Sequence, residues 1–208
     1  MISRSQIQIA ITLAVVAWAL LLFVEGVSLK PTYLKPYSIA IGIVTLCFLA
    51  YDRWIWKFPP LSRTLGKPVL RGTWKGEIRS EWIDPSTGTR IAPIEVYVAI
   101  FQTSSTISLR LMSKESSSST LTAALQVSKV ALPRIASMYQ NIPSLSLRRH
   151  SGIHHGAILL DVYGLPVQRL FGWYWTDRDT KGEISLEVRS RKIYSSFNEA
   201  QRSMANPT

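Results

Sequence analysis

From Ile7 to Val24 the chain runs for eighteen residues with Gln8 and Thr12 as the only polar side chains. At about 1.5 Å per residue, a helix of that length spans roughly 27 Å, close to the hydrocarbon core of a bilayer. A second apolar run, Tyr37 to Tyr51, is shorter. However, Asp52 and Arg53 can snorkel, and Trp54, Trp56 and Phe58 supply aromatic anchors at the interface. Gly26, Pro31 and Pro36 break the residues between the two runs. These features predict a two-helix transmembrane hairpin in residues 1–57, with spans at about 7–24 and 37–51. A cleavable secretory leader is the competing reading; a lone basic residue, Arg4, before a run longer than usual for a leader speaks against it.

Charge orients the hairpin. Arg53, Lys57, Arg63, Lys67, Arg71 and Lys75 follow the second run with no acidic residue between Asp52 and Glu77. The positive-inside rule therefore places this end, and with it the N-terminus, in the cytoplasm. The expected location is a bacterial inner membrane crossed twice. The same basic stretch would be drawn to anionic lipid head groups. Residues 1–56 carry a net charge of +2 and the remaining 152 a net +9, so most of the positive excess lies in the part that meets water and favours anionic partners. The only cysteine, Cys47, lies inside the second apolar run, which excludes an intrachain disulfide framework and a multi-cysteine metal site.

After Pro59-Pro60 and a basic linker, residues 58–69, the pattern changes to period two, as in half-buried strands. Eight strands are expected: Thr73–Trp82, Ile94–Thr103, Ile107–Ser113, Leu121–Val130, Ile135–Ile142, Ala157–Tyr163, Arg169–Thr176 and Gly182–Arg191. Turn-rich pieces separate them, among them Asp84 to Gly88 and the serine run Ser116–Ser119. In the last strand Ile184, Leu186 and Val188 share one face, and in the fourth Leu121, Ala123, Leu125 and Val127 do the same. Closing such a sheet covers its edges, so the fold class is all-β: an eight-stranded antiparallel barrel over residues 70–193, behind the hairpin, with a sandwich as the alternative. Residues 194–208 form a polar tail, a short helix or a frayed end. Gly72-Thr73-Trp74 echoes the Gly-x-Trp opening of lipocalin-like barrels, where the Trp plugs one end.

No enzyme motif is visible. His150, His154 and His155 sit among Ser151, Gly152 and Gly156 in what reads as a flexible turn rather than the helix that an i, i+4 metal pair would need. No metal and no cofactor is expected. Aromatic and basic residues are instead interleaved through the strands, and such residues stack on bases and hold phosphates. Tyr97, Arg110, Tyr139, Arg148, Trp173, Tyr174 and Arg178 are the candidate ligand-binding residues, with Arg149, Tyr163, Arg169 and Trp175 of similar chemistry. Trp173 and Trp175 could equally be core on one side of a strand with Tyr174 on the other. Arg110, between Leu109 and Leu111, faces away from both, toward solvent or a partner.

Two N-terminal apolar helices, a basic linker, Gly72-Thr73-Trp74-Lys75-Gly76 and the segment from Trp173 to Glu183 resemble the SMODS-associated two-transmembrane, β-strand-rich effectors of bacterial CBASS antiphage systems. The resemblance covers almost the whole chain, and its most specific part is the Tyr-x-Thr-Asp-Arg-x-Thr-x-Gly-Glu pattern from Tyr174 to Glu183. It implies a barrel that binds a cyclic dinucleotide made by a partner nucleotidyltransferase, oligomerises, and disrupts the inner membrane through its clustered helices. No partnership with a DNA or RNA polymer is expected. The other reading left open is a membrane-anchored carrier of a lipid or other apolar ligand with a calycin-like barrel.

Overall fold

The computed structural model describes residues 11–12, 15–16, 18–20, 23–24, 31–64, 66–128, 130–146, 148 and 151–205. The chain separates into two compact units, residues 1–58 with 103–105, and residues 59–102 with 106–208. In the first unit, helix α1 (Pro31–Arg53) is followed by a single 3-10 turn, Ile55–Lys57. Ile43, Val44, Leu46 and Leu49 are exposed along α1. Asp52 is buried, and its Oδ1 accepts hydrogen bonds from the Ser105 N–H at 2.9 Å and Oγ at 2.8 Å. Among the described residues no helix is long and apolar enough to cross a membrane. Half of the expected first span, nine of its eighteen residues, lies outside the described residues.

The second unit starts with a short helix, α2 (Pro59–Thr64), and continues as a closed barrel of eight strands in chain order: β1 (Gly72–Ser80), β2 (Ile94–Gln102), β3 (Ile107–Met112), β4 (Ser116–Gln126), β5 (Arg134–Pro143), β6 (His154–Tyr163), β7 (Arg169–Thr176) and β8 (Lys181–Ser190). Every neighbouring pair is antiparallel, and β8 returns to β1. No sheet edge remains. The inner face of the lower barrel is apolar and tightly filled, with Trp74, Ile100, Ile135, Leu160, Leu170 and Leu186 each at 0 % exposure. Helix α3 (Phe197–Ala205) packs on the outside, where Phe197 and Ala200 join Tyr97, Ala99 and Met112 in a second small cluster.

Two bulges set which side chains point inward. Between β1 and β8 the register shifts at Lys75/Gly76, so that Lys75 pairs with Val188 and Gly76 with Leu186, leaving Glu187 as the extra residue. A bulge of this kind re-aims the residues beyond it. Val188, expected in the core with Ile184 and Leu186, is 56 % exposed. Arg189 instead lies over the Trp74 ring, 5.3 Å from its centroid, and donates from Nη2 to the Arg71 carbonyl at 2.7 Å. Trp74 Nε1 in turn donates to the Leu70 carbonyl, and Gln102 ties down the same segment through Leu70 N–H and the Pro68 carbonyl. Trp74 thus plugs one end of the barrel.

The second bulge falls at Thr120/Thr122 and leaves Leu121 as the extra residue, 60 % exposed rather than in the expected apolar row. Thr120 supplies the missing rungs: its hydroxyl accepts from the Leu109 N–H and donates to the Leu109 carbonyl, both at 2.8 Å. Two boundaries also differ from expectation. The serine run Ser116–Ser119 is strand, because β5 offers a full ladder opposite it, Pro143 to Gln140. His154 and His155 open β6 instead of lying in a turn, paired with Asn141 and Gln140.

Candidate functional site

At the end opposite Trp74 the inward-pointing side chains stop filling the barrel, leaving a cavity of about 550 Å3. That volume lies within the range of small-molecule sites. Because inward positions recur every second residue, Tyr139 and Asn141 of β5, Tyr174 and Thr176 of β7, and Ile78 and Ser80 of β1 all line it. The wall is apolar where Val96, Ile158 and Ile184 meet, and elsewhere polar groups, Glu115 among them, alternate with the exposed Trp82, Ile91 and Ile94.

Both tyrosines lie across glycines. Gly156 is the cross-strand partner of Tyr139, and a β-carbon there would fall on the Tyr139 hydroxyl and Cζ. Gly182 pairs with Tyr174, whose Cε1 would be 2.9 Å from a β-carbon on that glycine. Each missing side chain makes room for a ring to lie along the wall, so two aromatic faces border one cavity. Burial holds the Tyr139 phenol far above its ordinary pKa, with Tyr174 and Asp177 adding to the effect. Burial raises Tyr174 too, against an opposing hydrogen bond from Ser80. Both phenols are therefore neutral hydrogen-bonding groups at neutral pH.

Two polar arrangements complete the mouth. Ser118 and Asn141 are register partners on β4 and β5, both buried, and the Ser118 hydroxyl donates to Asn141 Oδ1 at 2.7 Å. Arg178 lies in the β7–β8 turn at the rim and donates from Nη1 to Ser151 Oγ at 2.7 Å. The turn is held to β6 by Asp177, whose carboxylate accepts from the His155 N–H at 3.0 Å. That bond lowers the Asp177 pKa, keeping it ionised. Among the described residues Arg178 is the only lysine or arginine lining the cavity.

Of the seven residues proposed from sequence, the fold brings Tyr139, Tyr174 and Arg178 together here. The other four lie elsewhere. Tyr97 points outward and is fully buried beneath α3, its ring 5.3 Å from that of Phe197 and its hydroxyl donating to Glu95. Arg110 also points outward and lies over the Phe101 ring. Trp173 is on the outer face, edge-on to Phe171 and 45 % exposed. Arg148, in the β5–β6 connection, donates from Nε to the Pro143 carbonyl. Arg149 and His150 lie outside the described residues. Asn141, Ser118, Ser80 and Thr176 were not singled out from sequence. Asn141 and Thr176 could have been found, since each stands two residues beyond a selected tyrosine and so shares its face. Among the described residues no group of His, Cys, Asp or Glu could hold a metal ion.

Residues 65–188 match the model of the Cap15 cyclic dinucleotide receptor domain, which is more than half of the chain. The chain belongs to this family. The matched region takes in all of β1 to β7 and most of β8, and hence every residue named at the mouth. The receptor domain is an effector domain of CBASS systems, which agrees with the resemblance read from Tyr174 to Glu183. No curated protein is significantly similar to the chain.

Proposed function

We propose that the chain is a membrane-anchored antiphage effector whose barrel binds a cyclic dinucleotide in the mouth cavity, oligomerises with ligand bound, and disrupts the inner membrane. The observation that carries the reading is the mouth itself: two aromatic faces, Tyr139 and Tyr174, beside buried amide and hydroxyl groups, with Arg178 at the rim, in a chain of the cyclic dinucleotide receptor family. Bases stack on aromatic faces at about 1–3 kcal/mol each, and a guanidinium holds a phosphate through paired N–H groups. Ser80, Ser118, Asn141, Thr176 and Arg178 offer hydrogen bonds and one positive charge to a polar anion, beside the carboxylate of Glu115 and apolar walls such as Ile78, Val96 and Ile158 that would face its bases.

The anchoring part of the proposal rests on the apolar runs Ile7–Val24 and Tyr37–Tyr51 and on the exposed Ile43, Val44, Leu46 and Leu49 of α1, which water alone would not favour. The basic stretch from Arg53 to Lys75 supports a cytoplasmic barrel, where a partner nucleotidyltransferase would supply the ligand. Tethering barrels to one plane raises their effective concentration, so a modest ligand-driven contact suffices for assembly.

The test uses the full-length protein in detergent and in anionic liposomes. A bound cyclic dinucleotide at a hundred times its Kd should stabilise the barrel by about 2.7 kcal/mol and raise Tm. The same ligand should release dye from the liposomes. Failure of every cyclic dinucleotide in a panel to raise Tm would refute the reading; a Tm rise without dye release would refute membrane disruption alone.

A further inference from the structure

We infer that Asn141, paired through Oδ1 with the Ser118 hydroxyl, reads a hydrogen-bond acceptor on a base of the ligand. The inference rests on the mouth cavity being the cyclic dinucleotide site. A carboxamide has an acceptor end and a donor end, and a free one can present either by turning over. Here the Ser118 hydroxyl occupies Oδ1 at 2.7 Å across the β4–β5 pair. The Nδ2 end makes no hydrogen bond to the described residues, and it is not shut off from the cavity. In this arrangement Asn141 presents its Nδ2 N–H donors to the cavity.

Depth decides which part of the ligand Asn141 meets. A phosphate carries charge, and burying charge without a partner is costly. Asn141 is 8 % exposed, whereas Arg178, the one arginine or lysine among the described lining residues, is at the exposed rim. Phosphates belong at that rim, and a neutral base belongs deeper, beside the Tyr139 ring that precedes Asn141 by two residues on the same strand face. A base has ring nitrogens or carbonyl oxygens that accept from N–H, and a polar site built for one partner rejects a ligand that leaves it unpaired.

The experiment measures Kd by calorimetry for cyclic di-AMP, cyclic di-GMP and cyclic UMP–AMP with the full-length protein in detergent and with N141A, N141D, S118A and S118T. N141A should weaken the best ligand about ten-fold, the range of one net hydrogen bond in a dry site. N141D, which replaces donors by an anionic acceptor, should weaken it further. The losses should differ between ligands and so alter their rank order. S118A, which removes the partner of Oδ1, should weaken binding less than N141A and narrow the discrimination; S118T, which keeps a hydroxyl, should restore both. N141A folds on the loss of one polar group and keeps the test open if N141D does not fold. Affinities of N141A within two-fold of wild type would overturn the inference. An equal loss for every ligand would place the amide on phosphate and overturn it as well. A wild-type protein that binds none of the three would instead refute the ligand reading on which the inference rests.

Discussion

Tyr139 lies directly across the β5–β6 ladder from Gly156, with its phenol ring in the space that a β-carbon on that glycine would occupy. The ring is therefore a wall of the cavity only because β6 has no side chain at this point.

Replacing Gly156 by Ala should push the ring aside. The new methyl would also meet the Trp175 carbonyl at 2.6 Å, so part of the cost falls on the backbone. We expect a loss of about 1–3 kcal/mol of stability, typical of overpacking, and a disproportionate loss of ligand-induced Tm shift. Gly152→Ala is the control, because a β-carbon at that position would have nothing within 4 Å; its stability should stay within about 0.5 kcal/mol of wild type. Urea melts with and without ligand check both.

Facing should separate residues of the same chemistry. Arg110→Ala and Trp173→Ala alter the outer surface and should leave ligand affinity within two-fold of wild type. Arg178→Ala should weaken binding and reduce its salt dependence, since a rim cation acts partly through screened Coulomb attraction. Titrations at two ionic strengths distinguish the cases. Weakening by Arg110→Ala equal to that by Arg178→Ala would move the site to the outer face.

The buried phenols predict an alkaline limit. Below the unfolded-state pKa of about 10, Tyr139 is protonated in both folded and unfolded chains and costs nothing. Above it the unfolded chain releases the proton while burial keeps the folded phenol protonated, so the folded state binds more protons and stability falls as pH rises. Tyr139→Phe should flatten this decline between pH 9 and 11. Parallel unfolding curves for the two proteins over that range would contradict the burial of the hydroxyl.

At the plugged end, Trp74→Ala should cost about 3–5 kcal/mol by opening a cavity among side chains that are fully buried. Arg189→Ala removes the stacked guanidinium and its bond to the Arg71 carbonyl and should cost about 1–3 kcal/mol. Neither site borders the mouth cavity, so in Arg189→Ala ligand affinity should persist when Tm has fallen.

The strands were legible where alternation is strong and uninterrupted. Arg169–Thr176 has the bounds read from sequence, and Lys181–Ser190 begins and ends one residue early. The start of β4 was hidden because serine has little intrinsic preference for strands, and its state there comes from the ladder that β5 offers. The opening of β6 was hidden for a similar reason, with glycines and histidines reading as a turn until Asn141 and Gln140 paired with them. In the site, the aromatic and basic chemistry was recognised, but Tyr97 and Arg110 were placed together with Tyr139 although they occupy the opposite side of the sheet.

Period-two patterning, the long apolar runs and the positive charge after them are local properties of the chain, and they suffice for an all-β domain behind an apolar N-terminal segment. Which of the two faces became the inside was settled only by closure of β8 onto β1, since each strand taken alone has two candidate faces. The bulges at Glu187 and Leu121 then changed the phase part-way along two strands, sending Val188 outward and Arg189 onto Trp74. Helix α3 buried Tyr97 from outside, so that even burial did not mark the interior. The mouth, with Tyr139, Asn141, Tyr174 and Arg178 brought together from two separate stretches, exists because pairing between strands far apart in the chain sets their relative height, and no local pattern carries that information.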